Sequence, residues 1–159
     1  MEAIKGCSNL ELVYNLNQCT AIGNEDGAFM GCAKLRNTSI ENCNEVPHAA
    51  FDSCSSLTSI KLKPSAAVGT YAFYNCTNLS KVYNLNTVQS IGSWAFMSCS
   101  SLDQTIDLQR LSFGNLGCDA FIGAGARPFH VKLGSLTSDT VISNYFDPSN
   151  IKYVTIPPS

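Results

Sequence analysis

At 159 residues, with 10 basic and 12 acidic side chains, the chain carries a formal net charge of −2. The charges stand in ones and twos, with no basic stripe and no interleaving of basic and aromatic residues, which argues against a nucleic-acid partner. No apolar run approaches the ~20 residues of a membrane-spanning helix, and Met1-Glu-Ala-Ile-Lys5 does not read as a secretory signal.

One phrase, Ala-Phe-x-x-Cys, returns down the chain. It stands at Ala28-Phe29…Cys32, Ala50-Phe51…Cys54, Ala72-Phe73…Cys76 and Ala95-Phe96…Cys99, and at Ala120-Phe121…Ala124 with alanine in the cysteine slot. These phenylalanines lie ~22 to ~25 residues apart, a period of the leucine-rich-repeat kind. Ahead of the first full phrase, Ala3-Ile4…Cys7-Ser-Asn-Leu10 reads as the tail of a unit with Ile4 in the phenylalanine slot.

A leucine follows each cysteine by three positions, at Leu10, Leu35, Leu57, Leu79 and Leu102. Next comes an aliphatic residue, Val13, Ile60 or Val82, with Thr38 and Thr105 assigned to that slot in the second and fifth units. A further apolar residue follows at Leu16, Ile40, Leu62, Leu85 and Leu108. In Leu57-Thr-Ser-Ile60-Lys-Leu62, Ile60 and Leu62 alternate with Ser59 and Lys61, the period of a half-buried strand. Val13-Tyr-Asn-Leu-Asn17 and Val82-Tyr-Asn-Leu-Asn86 hold one extra residue, predicted to bulge the strand. Later in each unit Ile22, Val46, Val68, Ile91 and Leu116 precede Gly23, Pro47, Gly69, Gly92 and Gly117, so the chain is predicted to turn there. The stretch 123–140 matches least well: Pro128 takes the leucine slot, while Val131 and Leu133 keep the alternation. Tyr145-Phe146 with Ile151, Val154 and Ile156 reads as a last, shortened unit.

One unit cannot shield its own apolar side, so several must stack. Stacking sets equivalent strands side by side in parallel at ~4.8 Å and lays leucine on leucine, phenylalanine on phenylalanine. The predicted fold is a leucine-rich repeat solenoid: a β-rich right-handed superhelix with a parallel sheet, and short helical or 3₁₀ turns at the Ala-Phe-x-x-Cys segments. It forms a single domain, 1–159, divided at 1–23, 24–46, 47–68, 69–91, 92–116, 117–141 and 142–159. The chain opens inside a unit and stops at Pro157-Pro158-Ser159, without the polar caps that close such stacks. It is therefore expected to be a segment of a longer repeat protein, the alternative being a short chain whose uncapped ends pair with another copy.

The eight cysteines are read by slot. Cys7, Cys32, Cys54, Cys76 and Cys99 share one and are predicted to form an inward column. Parallel Cβ vectors would leave neighbouring Cβ atoms nearer ~5 Å than the ~3.8 Å of a disulfide, and no C-x-x-C pair offers zinc its short ligand loops. They are expected to act as small buried hydrophobes. Cys19 and Cys43 hold a second slot, filled by Ser65 and Ser159 elsewhere and replaced by Val88 and Phe113, where a small donor can satisfy loop carbonyls. Cys118 belongs to neither column and is the thiol to test for reactivity. His48 and His130 fall in different units and slots, His48 in a turn position held elsewhere by Asp26, Thr70 and Ser93. No carboxylate pair or phosphate loop is evident, and Gly123-Ala-Gly125-Ala reads as a loop. No catalytic residues, metal site or cofactor are expected. Asn37, Asn75 and Asn78 open N-x-Ser/Thr triplets, which matter only in a eukaryotic secretory pathway.

The unit Cys54-Ser-Ser-Leu57-Thr-Ser-Ile60-Lys-Leu62-Lys-Pro64-Ser…Val68-Gly69…Ala72-Phe73…Asn75-Cys76-Thr-Asn-Leu79 resembles the BspA-like leucine-rich repeats, also called the Treponema pallidum type. The resemblance covers essentially the whole chain, weakly over 123–140, and departs where Lys63 precedes Pro64. It implies a repeat scaffold common on the surfaces of host-associated bacteria and some protist parasites, whose members adhere to host proteins or to other cells. It carries no shared catalytic residues and does not name a ligand.

The residues predicted to face outward from the strands include Leu12 and Tyr14, Asn37 and Ser39, Ser59 and Lys61, Lys81 and Tyr83, and Gln104, joined by Lys132, Tyr153 and Thr155. Tyrosine is enriched in binding hot spots, so the partner-binding face is assigned to Tyr14, Asn37, Ser39, Lys61, Lys81, Tyr83, Lys132 and Tyr153. The same residues also suit a solvated sheet face, because tyrosine and threonine are good strand formers. Three functions are expected to compete. The first is a non-catalytic module for adhesion to an extracellular-matrix or host surface protein, at the cell surface or secreted. The second is a structural spacer or self-associating stack. The third is a cytoplasmic scaffold, which would suit free thiols in a reducing compartment.

Overall fold

The computed structural model describes residues 4–23, 27–125, 129–134 and 142–156. The slots predicted for Asp26, Pro128 and Ser159 lie outside the described residues. Nine short strands are described: β1 (Thr38–Ile40), β2 (Glu45–Val46), β3 (Ser59–Leu62), β4 (Ala67–Val68), β5 (Lys81–Tyr83), β6 (Ser90–Ile91), β7 (Ile106–Leu108), β8 (Phe129–Leu133) and β9 (Ile151–Thr155). They form three parallel sheets, ordered β1-β3-β5, β2-β4-β6 and β7-β8-β9. Each strand pairs with its equivalent in the next unit, Thr38 with Ile60 and Ile60 with Val82, so like side chains fall into columns. The inward residues Ile60, Leu62, Val82, Ile106, Leu108, Val131 and Leu133 are buried and the residues between them are not, as the alternation predicts.

The second sheet lies where the sequence reading has only a turn. Val46 pairs with Val68 and Val68 with Ile91, and a bridge continues to Leu116. These apolar residues arrive singly, so no alternation announces a strand; stacking on the neighbouring unit creates it. The glycines that follow serve this contact. A Cβ on Gly69 would meet the Val46 carbonyl oxygen at 2.8 Å, one on Gly92 the Thr70 nitrogen at 2.4 Å, and one on Gly117 the Ser93 nitrogen at 2.1 Å. None of these three needs a positive φ. They are small so that the next rung can lie against them.

The Ala-Phe-x-x-Cys segments form a further inter-rung ladder. The phenylalanine N–H donates to the next unit's alanine carbonyl: Phe29 to Ala50 at 2.7 Å, then Phe51 to Ala72, Phe73 to Ala95 and Phe96 to Ala120, each at 2.8 Å. Ile4 donates to Ala28 in the same way, as its predicted slot requires. Within each segment the chain makes tight turns, Cys54 N–H to the Phe51 carbonyl for example, but no 3₁₀ helix. The reason is local: the residues on either side, Ala49 and Ser53 or Tyr71 and Asn75, sit at φ between 51° and 58° and stop the turn from propagating. The 3₁₀ turns fall elsewhere, at Leu16–Gln18, Leu85–Thr87, Phe113–Asn115, Ile142–Asn144 and Pro148–Asn150.

Inside this ladder Phe29, Phe51, Phe73, Phe96, Phe121 and Phe146 stack in one continuous pile, with centroids 5.0 to 5.4 Å apart and planes within 18°. All six are fully buried. Burial of each stabilises by roughly 2–3 kcal/mol, and the offset contacts between rings add to this.

Four local expectations are revised. The extra residues do not bulge a strand: Asn84 at φ 66° ends β5, Asn15 at φ 60° follows a segment with no described strand, and a 3₁₀ turn comes after each. In the fifth unit Ile106, not Thr105, fills the inward slot and pairs with Val131, because one residue is inserted after Leu102. Ser65, assigned the small-donor slot, is exposed at φ 62°, and Ala66 beside it is the buried residue. Cys7 lies exposed rather than inward, since a described rung covers it on one side alone.

Candidate interaction surface

Outward residues of the first sheet fall into two columns. Ser39, Lys61 and Tyr83 lie in register across β1, β3 and β5. Beside them Ser59 pairs with Lys81, and the Asn37 side chain accepts from the Ser59 N–H at 3.1 Å and from the Thr58 hydroxyl. Lys61 is paired with Glu41 at 2.5 Å. The Lys81 ammonium stands 6.0 Å from the Tyr83 ring centroid, over a face whose quadrupole attracts it. Ser39 is less available than predicted: its Oγ is buried and has no hydrogen-bond partner.

On the third sheet Asp107, Lys132 and Thr155 lie in register, as do His130 and Tyr153. Lys132 reaches Asp107 at 3.9 Å. His130, which the sequence reading sets only in a different unit and slot from His48, joins this face: its Nε2 lies 2.6 Å from Thr155 Oγ1 and its ring meets Tyr153 edge-on at 6.0 Å. The alternation Phe129-His-Val-Lys-Leu133 already placed it outward.

Between the two sheets the strand ladder is interrupted. The residue inserted in the fifth unit keeps β5 from pairing with β7, and the Gln104 side chain fills the gap. Its Oε1 accepts from the Val82 N–H at 3.0 Å and its Nε2 donates to the Val82 carbonyl at 3.3 Å. Gln104 therefore acts as a substitute backbone rather than as the outward residue predicted. The interruption opens a cleft of about 300 Å³, lined by Lys81, Tyr83, Asn84, Gln104, Asp107 and Lys132 among others. It brings three of the predicted residues together from two separate sheets. Tyr14, 83% exposed, and Tyr153, 59% exposed, stand outside the cleft.

The thiols do more than fill space. Cys32, Cys54, Cys76 and Cys99 are buried, and each Sγ donates to the carbonyl of the anchor residue one rung back: Ile4, Phe29, Phe51 and Phe73, at 3.0 to 3.1 Å. Cys43 does the same in the second slot, donating to the Cys19 carbonyl at 3.1 Å. Burial holds these thiols protonated: it pushes Cys54 up to about 12, and Cys32, Cys43, Cys76 and Cys99 upward as well. All eight cysteines are free, with Cys118 exposed and its Sγ 3.4 Å from Ser93 Oγ. His48 is exposed in its turn, as predicted. Among the described residues no group of three or more His, Cys, Asp or Glu is placed to hold a metal ion, and no helix is long and apolar enough to cross a membrane.

Parallel strands repeating once per unit, with few helices, define a β-rich repeat protein of the leucine-rich class. The chain belongs to the BspA type leucine-rich repeat region family, whose six-copy description matches it over residues 1–103 and 44–159. No curated protein and no solved structure matches it.

Proposed function

We propose that the protein is a non-catalytic interaction module that holds a protein partner on its strand face, with the cleft between β5 and β7 as the anchoring point. The observation that carries this reading is the convergence of Lys81, Tyr83 and Lys132, with Asn84 and Gln104, at the interrupted ladder. Two ammonium groups against one Asp107 carboxylate favour an acidic partner segment, and the exposed ring of Tyr83 supplies apolar contact. Family membership supports adhesion at a cell surface, to an extracellular-matrix or host surface protein, as the use of that face. On this reading the seven predicted units wind as a right-handed superhelix within a longer repeat protein.

Charge reversal is the test. Lys81→Glu should weaken retention of an acidic protein partner about tenfold or more while leaving the melting temperature unchanged, since the Lys81 side chain lines the cleft and is exposed. Unchanged retention would remove the strand face from consideration. A second reading, self-association through the ends of the stack, is favoured by Val154 and Ile156, which stay exposed on and beside the edge strand β9. Concentration-dependent mass by light scattering, abolished by Val154→Lys, would support it.

A further inference from the structure

Away from the strand face, one slot of the repeat holds a left-handed residue just before each Ala-Phe pair: Gly27, Ala49, Tyr71, Trp94 and Asp119, with φ from 51° to 76°. Glycine suits that backbone and a bulky aromatic residue does not. Tyr71 and Trp94 nevertheless occupy it, half-exposed, with rings stacked at 5.0 Å and 13°. Trp94 is backed on its far side, where Nε1 donates to Asp119 Oδ2 at 3.2 Å. Tyr71 is not backed in this way. On the rung beyond it stands Ala49, whose methyl group leaves a hollow of about 350 Å³, at the small end of ligand-pocket sizes. His48 and Tyr74 meet Tyr71 edge-on at 5.7 and 5.5 Å, and Asp52, Lys5 and the apolar Met30 complete the lining.

The two-ring stack thus ends at Tyr71, with Ala49 in the same slot of the adjoining rung. We propose that this hollow is a carbohydrate subsite, which seats a single pyranose ring flat on Tyr71. The negative face of an aromatic ring attracts the polarised C–H groups of a sugar's apolar face. The rim then offers both signs of hydrogen-bonding group to the equatorial hydroxyls: the Asp52 carboxylate, which already accepts from Ser53 Oγ at 2.8 Å, the His48 imidazole, the Tyr74 hydroxyl and the Lys5 ammonium. One cation facing one carboxylate gives no net charge to select a phosphate. An aromatic side chain from a partner would leave these polar groups unused.

The test is titration of the full chain with methyl glycosides of glucose, galactose and mannose and with N-acetylglucosamine, followed by amide chemical shifts and by fluorescence of Trp94, the one tryptophan. At least one sugar should saturate shifts at Ala49, Asp52 and Tyr71 with millimolar affinity. Tyr71→Gly, which suits φ 57° but gives up the stack on Trp94, should remain folded yet bind about tenfold or more weakly, and Asp52→Asn should also weaken binding. The proposal fails if no sugar saturates, if Tyr71→Gly binds as well as wild type, or if N-acetyl-tyrosinamide saturates the hollow and no sugar does. Lys81→Glu should leave sugar binding intact, which separates this site from the strand face.

Discussion

A buried cysteine thiol has one hydrogen to give, and here it gives it to the rung before. The phenylalanine carbonyl already accepts the N–H of its own turn; the next unit's thiol uses its second lone pair. That a cysteine recurring in one slot should be buried follows from its small apolar side chain. That it should also be a donor does not, because the acceptor belongs to another unit. The pH consequence has a definite sign. The native state binds the Cys54 proton up to about 12 whereas an unfolded chain releases it near the ordinary 9.0. Below that lower value both states are protonated and nothing changes; above it the unfolded state binds fewer protons, so stability falls as pH rises. The slope is ~1.4 kcal/mol per pH unit for each fully protected thiol. Urea unfolding at a series of alkaline pH values should show this fall, and Cys54→Ala should flatten part of it.

At the scale of the element, two columns decide how closely rungs approach. A methyl group on Gly117 would overlap the Ser93 backbone, so Gly117→Ala is expected to cost ~2 kcal/mol or more, in the range of overpacked positions. Gly114→Ala meets nothing closer than Ser112 Oγ at 3.8 Å and should be neutral or stabilising by up to ~1 kcal/mol. Chemical denaturation of the pair distinguishes close approach from a general dislike of alanine in turns. In the phenylalanine pile, Phe73→Ala should cost ~3–5 kcal/mol, the usual loss for a fully buried ring. Phe73→Leu keeps most of the volume but breaks two stacking contacts, and should fall well short of that. Equal losses would mean that the ring stacking, and not the volume filled, carries the stability. The pile was legible from the spacing of Ala-Phe. The second sheet was not, since β2, β4 and β6 are two residues long and exist through their neighbours.

For the whole molecule, each rung is held by the rungs on either side, so protection should grade along the stack. Amide hydrogen exchange should be slowest at Phe51, Phe73 and Phe96, whose N–H groups bond to the next unit between fully packed rungs. It should be fastest in β9, whose residues Lys152 to Thr155 are exposed. Uniform protection would contradict a stack stabilised by nearest neighbours. The amino-acid sequence by itself determined the repeat, the parallel pairing of equivalent strands and the burial of leucine, phenylalanine and most cysteine slots, because a fixed period forces like onto like. Only the tertiary structure decided where the pattern yields. An inserted residue near Gln104 parts two sheets and opens a cleft, and the stack of Trp94 on Tyr71 ends where Ala49 occupies the adjoining rung. Both depend on what the adjoining rung presents at a given height, and that is a relation between units which no single unit's sequence contains.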